Sequence, residues 1–287
     1  IWMATMLCAK PISSVPTRVD SLLNVYDQEI EHAWSYMEQR NNYIDSVKAN
    51  SDMTRAESQI AIAKLYIPYQ CDSALFYLSQ ATNASDYTYA TEAKLYLIYL
   101  LASIGYYNEG FLLSHSLNPL PATSLSLYHE TLSHLHGEAF VYGKMDTLKD
   151  YHHKQAALHK DSLFMNIRQK HLSPTYISKY GWKENEWLEL QKLQLIQARN
   201  QQDYQRAIDI SNQVFEYVAP NTHTYAIFAY ETACIYSSMQ DSLQHLEWLL
   251  RSSIADIRSG VCDNASSWTL ASIMFDDGQL ERAMKYI

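Results

Sequence analysis

Three segments in the last third of the chain repeat at one interval. Aligning NQQDYQRAIDI (200–210), SMQDSLQHLEW (238–248) and DDGQLERAMKYI (276–287) puts Ala207, His245 and Ala283 at equivalent positions, each 38 residues from the next. A fixed period of this length marks an architecture in which one supersecondary unit stacks on its neighbours, because a single unit cannot bury its own apolar face. Composition says which kind of unit. Seven Gly and seven Pro in 287 residues are too few for the tight turns of a sandwich or barrel, while Ala, Leu, Gln, Glu and Lys run throughout. Helices joined by short loops are expected. The small residue of each unit then belongs on the second helix of a hairpin, where two backbones come close and side-chain size is limited. His245 is too large for that place, so its hairpin should open or its imidazole should tilt toward a polar partner.

Residues 61–81 (AIAKLYIPYQCDSALFYLSQA) and 93–117 (AKLYLIYLLASIGYYNEGFLLSHSL) each read as a helix, a short turn and a second helix. In a tetratricopeptide repeat of about 34 residues, a small residue sits where the second helix crosses the first, and another small or apolar residue follows seven positions later. Ala74 and Ala81 fill those places in one unit; Gly110 and Leu117 fill them 36 residues on, with Gly105 at the turn. Upstream, Thr17 and Asp20 form a capping-box-like start to a long amphipathic helix. Its stripe is Val19, Leu22, Tyr26, Ile30, Ala33, Met37, Ile44 and Val47, and it ends near 50–52. The segment 172–184 carries Pro174 and Gly181 with no sustained period and reads as a break.

The expected fold class is all-α, a tetratricopeptide-like solenoid of helical hairpins wound as a right-handed superhelix and preceded by the long helix. Its expected divisions are a signal-peptide remnant (1–10), the N-terminal helix (11–50), a first repeat block (51–171), the break (172–184) and a second block (185–287) truncated at its end. The remnant is read from residues 1–7, apolar except for Thr5, followed by Ala9, Lys10 and Pro11. Leu7 stands where a lipid-anchoring Cys8 would need a small residue.

The net charge of −9, from 22 basic against 31 acidic residues, comes with no basic cluster to neutralise phosphates, which argues against a grip on DNA or RNA. The longest strongly apolar stretch, 95–107, spans 13 residues, short of the roughly 20 needed to cross a bilayer. Cys8, Cys71, Cys234 and Cys262 have neither zinc-site nor redox spacing.

Seven of the eleven His residues fall between His129 and His171. In YHETLSHLHGE, His129 and His134 are five apart and so about 140° apart around a helix, whereas a zinc-protease helix needs a spacing of four. His129 and His136 share a face but lie two turns apart, roughly 10 Å along the axis. Packing or solvent-facing roles are expected for them. The run 137–145 has five residues between its glycines where a phosphate-binding loop has four, and Met145 where that loop has Ser or Thr. No catalytic residue, cofactor or metal ligand is therefore expected. What remains is a surface: Tyr66, Tyr69, Tyr96, Tyr99 and Tyr106 could furnish aromatic contacts on a concave face, or could plug seams between helices.

DSLLNVYDQEIEHAWSYMEQRNNYIDSVK (20–48), YQCDSALFYLSQA (69–81) and the closing stretch 252–287 resemble a family of bacterial membrane-anchored tetratricopeptide regulators whose main region is a domain of unknown function. The resemblance implies a signal peptide, a repeat region outside the inner membrane, one membrane helix, a coiled coil and a cytoplasmic DNA-binding helix-turn-helix. This chain would be the periplasmic sensory part. It would hold a peptide, protein or small-molecule ligand in its trough, touch no nucleic acid and meet the membrane only through flanking segments. Two other readings stand beside it: a glycan- or nutrient-binding surface lipoprotein, and an enzyme using the His-rich middle.

Overall fold

The computed structural model describes residues 17–117, 119–144, 146–172, 184–261 and 265–287. Among them are thirteen α-helices, two short 3-10 turns and no strand. The helices are α1 (Thr17–Ala49), α2 (Ala56–Tyr66), α3 (Cys71–Ala81), α4 (Tyr87–Ser103), α5 (Tyr107–His115), α6 (Leu125–Tyr142) and α7 (Lys149–Leu172), followed by α8 (Glu184–Asn200), α9 (Tyr204–Phe215), α10 (His223–Ser238), α11 (Ser242–Arg258), α12 (Ala265–Asp276) and α13 (Leu280–Lys285). The fold is all-α and hairpin-built, as expected. None of the described helices is long and apolar enough to cross a membrane.

The 38-residue period is a repeated way of ending one helix and starting the next. At Gln202, Gln240 and Gly278 the backbone turns left-handed, with φ of 62°, 61° and 75°. At each, the next N–H reaches back five residues: Asp203 to the Ala198 carbonyl (2.9 Å), Asp241 to Tyr236 (2.9 Å) and Gln279 to Met274 (2.8 Å). These bonds satisfy carbonyls that the ending helix leaves open. Asp203 and Asp241 then cap the second helix, Oδ1 accepting from the N–H of Arg206 (3.4 Å) and Gln244 (3.0 Å). Four residues past each of these starts stands the marker position. Ala207 (0% exposed) and Ala283 (4%) are buried on α9 and α13. His245 on α11 is half-buried and turns Nδ1 onto the Ala233 carbonyl at 2.9 Å, the polar partner its size demanded. The earlier copies obey the same rule: Ala74 is fully buried on α3, and a Cβ placed on Gly110 of α5 would meet Leu135 Cδ1 at 3.0 Å.

Contacts divide the chain into two compact units, residues 42–193 and residues 194–287 joined by the first helix as far as residue 41. These boundaries fall inside α1 and inside α8, and so differ from the sequence divisions at 50 and at 172–184. Residues 1–16, with the expected signal-peptide remnant, and 173–183, most of the expected break, lie outside the described residues. In unit 42–193, the hairpins α2–α3, α4–α5 and α6–α7 stack in order, with α4 beside both α2 and α6. Ile44, Ile62, Ala63, Tyr66, Ala74 and Leu78 form one core there. In the other unit, Val19, Leu23 and Tyr26 of α1 bury themselves among Leu249, Leu250, Leu270, Met274 and Tyr286. Polar contacts fix that docking. Asp27 accepts from the Tyr286 hydroxyl (2.9 Å) and pairs with Arg282 (3.1 Å), while Glu29 pairs with Arg258 (2.6 Å). The division differs from the sequence reading because these partners lie some 230 to 260 positions apart, where no local periodicity connects them.

Candidate ligand groove

Within unit 42–193 the first helices of the hairpins carry one continuous row of polar and aromatic side chains. Lys64 comes from α2, Tyr96, Tyr99 and Ser103 from α4, Glu130, His134 and Glu138 from α6, and Glu189 and Lys192 from α8. Steps of three and four keep the members of each helix on one face. The Lys64 ammonium lies 5.0 Å from the Tyr96 ring centroid, and Tyr99 stacks on His134 with centroids 3.9 Å apart and planes 16° apart. Lys192 pairs with Glu189 at 2.8 Å. His134, Glu138, Glu189 and Lys192 keep only 21–28% of their side-chain surface, recessed yet open to water.

Recession shows in the acid–base properties. Burial and the neighbouring Glu189 carboxylate push Glu130 up to about 7, against the pull of Lys192 and Lys64. Burial, helped by Lys192, holds His134 down at about 4. Burial raises Glu138 and lifts Tyr99 to about 12. Burial would lower Lys192, but Glu189 and Glu130 outweigh it, so its ammonium is held above the usual lysine range. The row thus contains a carboxyl, Glu130, whose charge its surroundings do not fully compensate.

Ser103, His134 and Glu138 deserve a chemical test as a set, since Ser103 Oγ is 2.9 Å from His134 Nε2 and Glu138 is 4.0 Å from Nδ1. Acyl transfer also needs donors aimed at a developing oxyanion. Ser103 is the last residue of α4, where free carbonyls give a partial negative charge. Its hydroxyl also donates to the Tyr99 carbonyl (3.1 Å). The set suits recognition better than nucleophilic chemistry.

The five tyrosines separate. Tyr66 is buried, and Tyr69 packs against the same core, both as seam plugs. Tyr96 and Tyr99 are half-buried in the row. Tyr106, 55% exposed, borders a different feature, a cleft of about 700 Å³ walled also by Tyr107, Phe111, Tyr142, Lys144 and His152. Gly143 shapes its rim: a Cβ there would sit 2.2 Å from the Ala139 carbonyl oxygen, so only glycine can end α6 in this way.

The His-rich middle is resolved by pairing across helices. His129 Nδ1 faces His159 Nδ1 at 3.0 Å, and His136 Nδ1 faces His152 Nδ1 at 2.9 Å, each pair joining α6 to α7. Reading one helix at a time missed these partners. The signal was present, because His152 and His159 are seven apart just as His129 and His136 are. Among the described residues no group of three or more His, Cys, Asp or Glu could hold a metal ion.

Stacked helical hairpins with a small residue at the crossings of Ala74, Gly110, Ala207 and Ala283 and a recessed row on first helices define a repeat protein of the tetratricopeptide class. A family model described as the SusR N-terminal TPR domain matches residues 30–287, and the chain belongs to that family. This agrees with the resemblance seen in sequence at the level of a bacterial TPR-containing protein. A search of curated proteins finds no match.

Proposed function

We propose that this chain is the non-catalytic, partner-binding sensory part of a membrane-anchored regulator acting outside the inner membrane, and that the row on α2, α4, α6 and α8 receives a peptide or protein segment bearing a cationic side chain. Membership of a TPR family supports a protein-binding role. The resemblance to membrane-anchored regulators supports the sensory one. The observation that carries the ligand chemistry is the placement of the Glu130, Glu138 and Glu189 carboxyls in one recessed row with the half-buried rings of Tyr96 and Tyr99, where burial and Glu189 push Glu130 upward. A cation delivered there replaces a proton, and Tyr96 and Tyr99 offer aromatic surface alongside.

The test is a binding titration of labelled Lys-rich and Glu-rich peptides by fluorescence anisotropy between pH 6 and pH 8. Basic peptides should bind better, with affinity rising several-fold as Glu130 ionises, and Glu130→Gln should flatten that rise. Preference for acidic peptides, or an unchanged pH profile in Glu130→Gln, would overturn the reading. A second reading, a small-molecule receptor, is favoured by the aromatic cleft at Tyr106, whose volume suits a compact ligand. Tyr106→Ala would then abolish ligand binding while leaving peptide binding unchanged.

A further inference from the structure

We propose that the α6–α7 hairpin binds divalent transition-metal ions of tetragonal preference, Cu²⁺ or Ni²⁺, one at the His129–His159 rung and one at the His136–His152 rung. The argument begins with the separations of 3.0 and 2.9 Å between facing Nδ1 atoms. With metal–nitrogen bonds of about 2.0–2.1 Å, two nitrogens that far apart subtend roughly 90° at the ion. That is close to the cis angle of square-planar and octahedral sites. The expectation of no metal ligand, drawn from α6 alone, is what this proposal revises.

The ligands are imidazoles, which suit Cu²⁺ and Ni²⁺ and discriminate against Mg²⁺ and Ca²⁺. The hairpin holds them in place. Ser133 Oγ donates to the Ala156 carbonyl at 3.0 Å between the rungs, and Ser126 Oγ donates to Asn166 Oδ1 at 3.0 Å beyond them. Tyr128 lies edge-on to His129 and His159, and Phe111 stacks on His152 with centroids 5.3 Å apart. An ion bonded to both nitrogens would sit about 1.4 Å off the line joining them, reached by turning the rings about Cβ–Cγ. A neutral imidazole carries its one proton on either ring nitrogen, so both facing Nδ1 atoms offer a lone pair once the proton shared across each rung moves to Nε2. His129, His152 and His159 are partly exposed, which leaves water to complete each coordination shell. His152 also lines the Tyr106 cleft, so the open positions of one ion are within reach of a cleft ligand.

The experiment uses the whole chain, freed of any affinity tag, with CuCl₂ and NiCl₂ as probes in isothermal titration. Wild type should take up two ions more per chain than a variant with His129, His136, His152 and His159 all changed to Gln. His129→Gln with His159→Gln, or His136→Gln with His152→Gln, should each remove one. Equal uptake by wild type and the fourfold variant, or no uptake by wild type, would overturn the proposal. Because a variant could misfold, the wild-type copper complex gives an independent reading by electron paramagnetic resonance. Two-nitrogen hyperfine structure should be seen, with dipolar broadening from ions about 10 Å apart, the rise of seven helical residues. Magnetically isolated copper at full loading would overturn the two-rung assignment.

Discussion

The hairpins α6–α7 and α10–α11 use the same architecture with opposite chemistry at the seam. On α10 the seam is Ala226, Ala229 and Ala233, all buried, so α11 comes close enough for Ser252 Oγ to donate to the Ala226 carbonyl (2.8 Å) and for His245 to reach that of Ala233 (2.9 Å). On α6 the corresponding stripe is His129, Ser133 and His136, where only Ser133 reaches a partner carbonyl directly and the imidazoles fill the rest. Thr131, fully buried on the same helix, finds no hydrogen-bond partner for its hydroxyl among the described residues. Small side chains yield close packing that does not depend on pH. Imidazole rungs yield a seam whose cohesion depends on their remaining uncharged.

The largest expected effect falls on the close seam. Ala229→Leu inserts a large side chain where there is no room and should cost about 1–3 kcal/mol in urea unfolding; a loss under about 0.5 kcal/mol would mean that α10 and α11 are not tightly apposed. Acid should act mainly on the other hairpin. The four rung histidines have folded-state pKa values below 6.5, so their neutral forms stabilise the fold above that pH, and the contribution is lost as pH falls from 6.5 toward about 4, the value of His136. Glu130, raised to about 7, and Glu138, also raised by burial, work oppositely, favouring the fold when protonated, but they are two groups against five, because His134 of α6 is held down at about 4. Hydrogen exchange, corrected for intrinsic rates, should show α6–α7 losing about tenfold protection between pH 7 and pH 5. The α10–α11 hairpin, where burial lowers His245, should lose less. Equal loss in both would erase the contrast.

A smaller gain is expected from Thr131→Val, which removes the unpartnered hydroxyl at nearly constant volume and should stabilise by about 1 kcal/mol. The smallest effect belongs to the turn. Gln240→Gly relieves a left-handed residue costing about 1–2 kcal/mol, offset by about 0.5–1 kcal/mol of glycine chain entropy, leaving a gain of a few tenths to about 1 kcal/mol in thermal melts. Destabilisation instead would mean that the Gln240 side chain contributes a contact of its own.

Local patterns made the repeat legible. The period linking Ala207, His245 and Ala283 and the small residues Ala74 and Gly110 record demands that recur within one hairpin, and such demands leave a trace at short spacing. The charged row could be read only in part. Tyr96 and Tyr99 were among the tyrosines singled out, but Glu130, His134 and Lys192 resembled any solvated helix face until stacking recessed them.

The sequence by itself therefore determined the kind of unit, its period and the places where one helix must end and the next begin, because these follow from side-chain size and backbone conformation within a few turns. Only the tertiary structure decided that Tyr26 of the first helix would pack on Tyr286, with ring centroids 4.6 Å apart, and that four histidines would face one another in pairs. Those outcomes depend on which surfaces meet once hairpins stack, a choice made by complementary shape and charge between residues far apart in the chain.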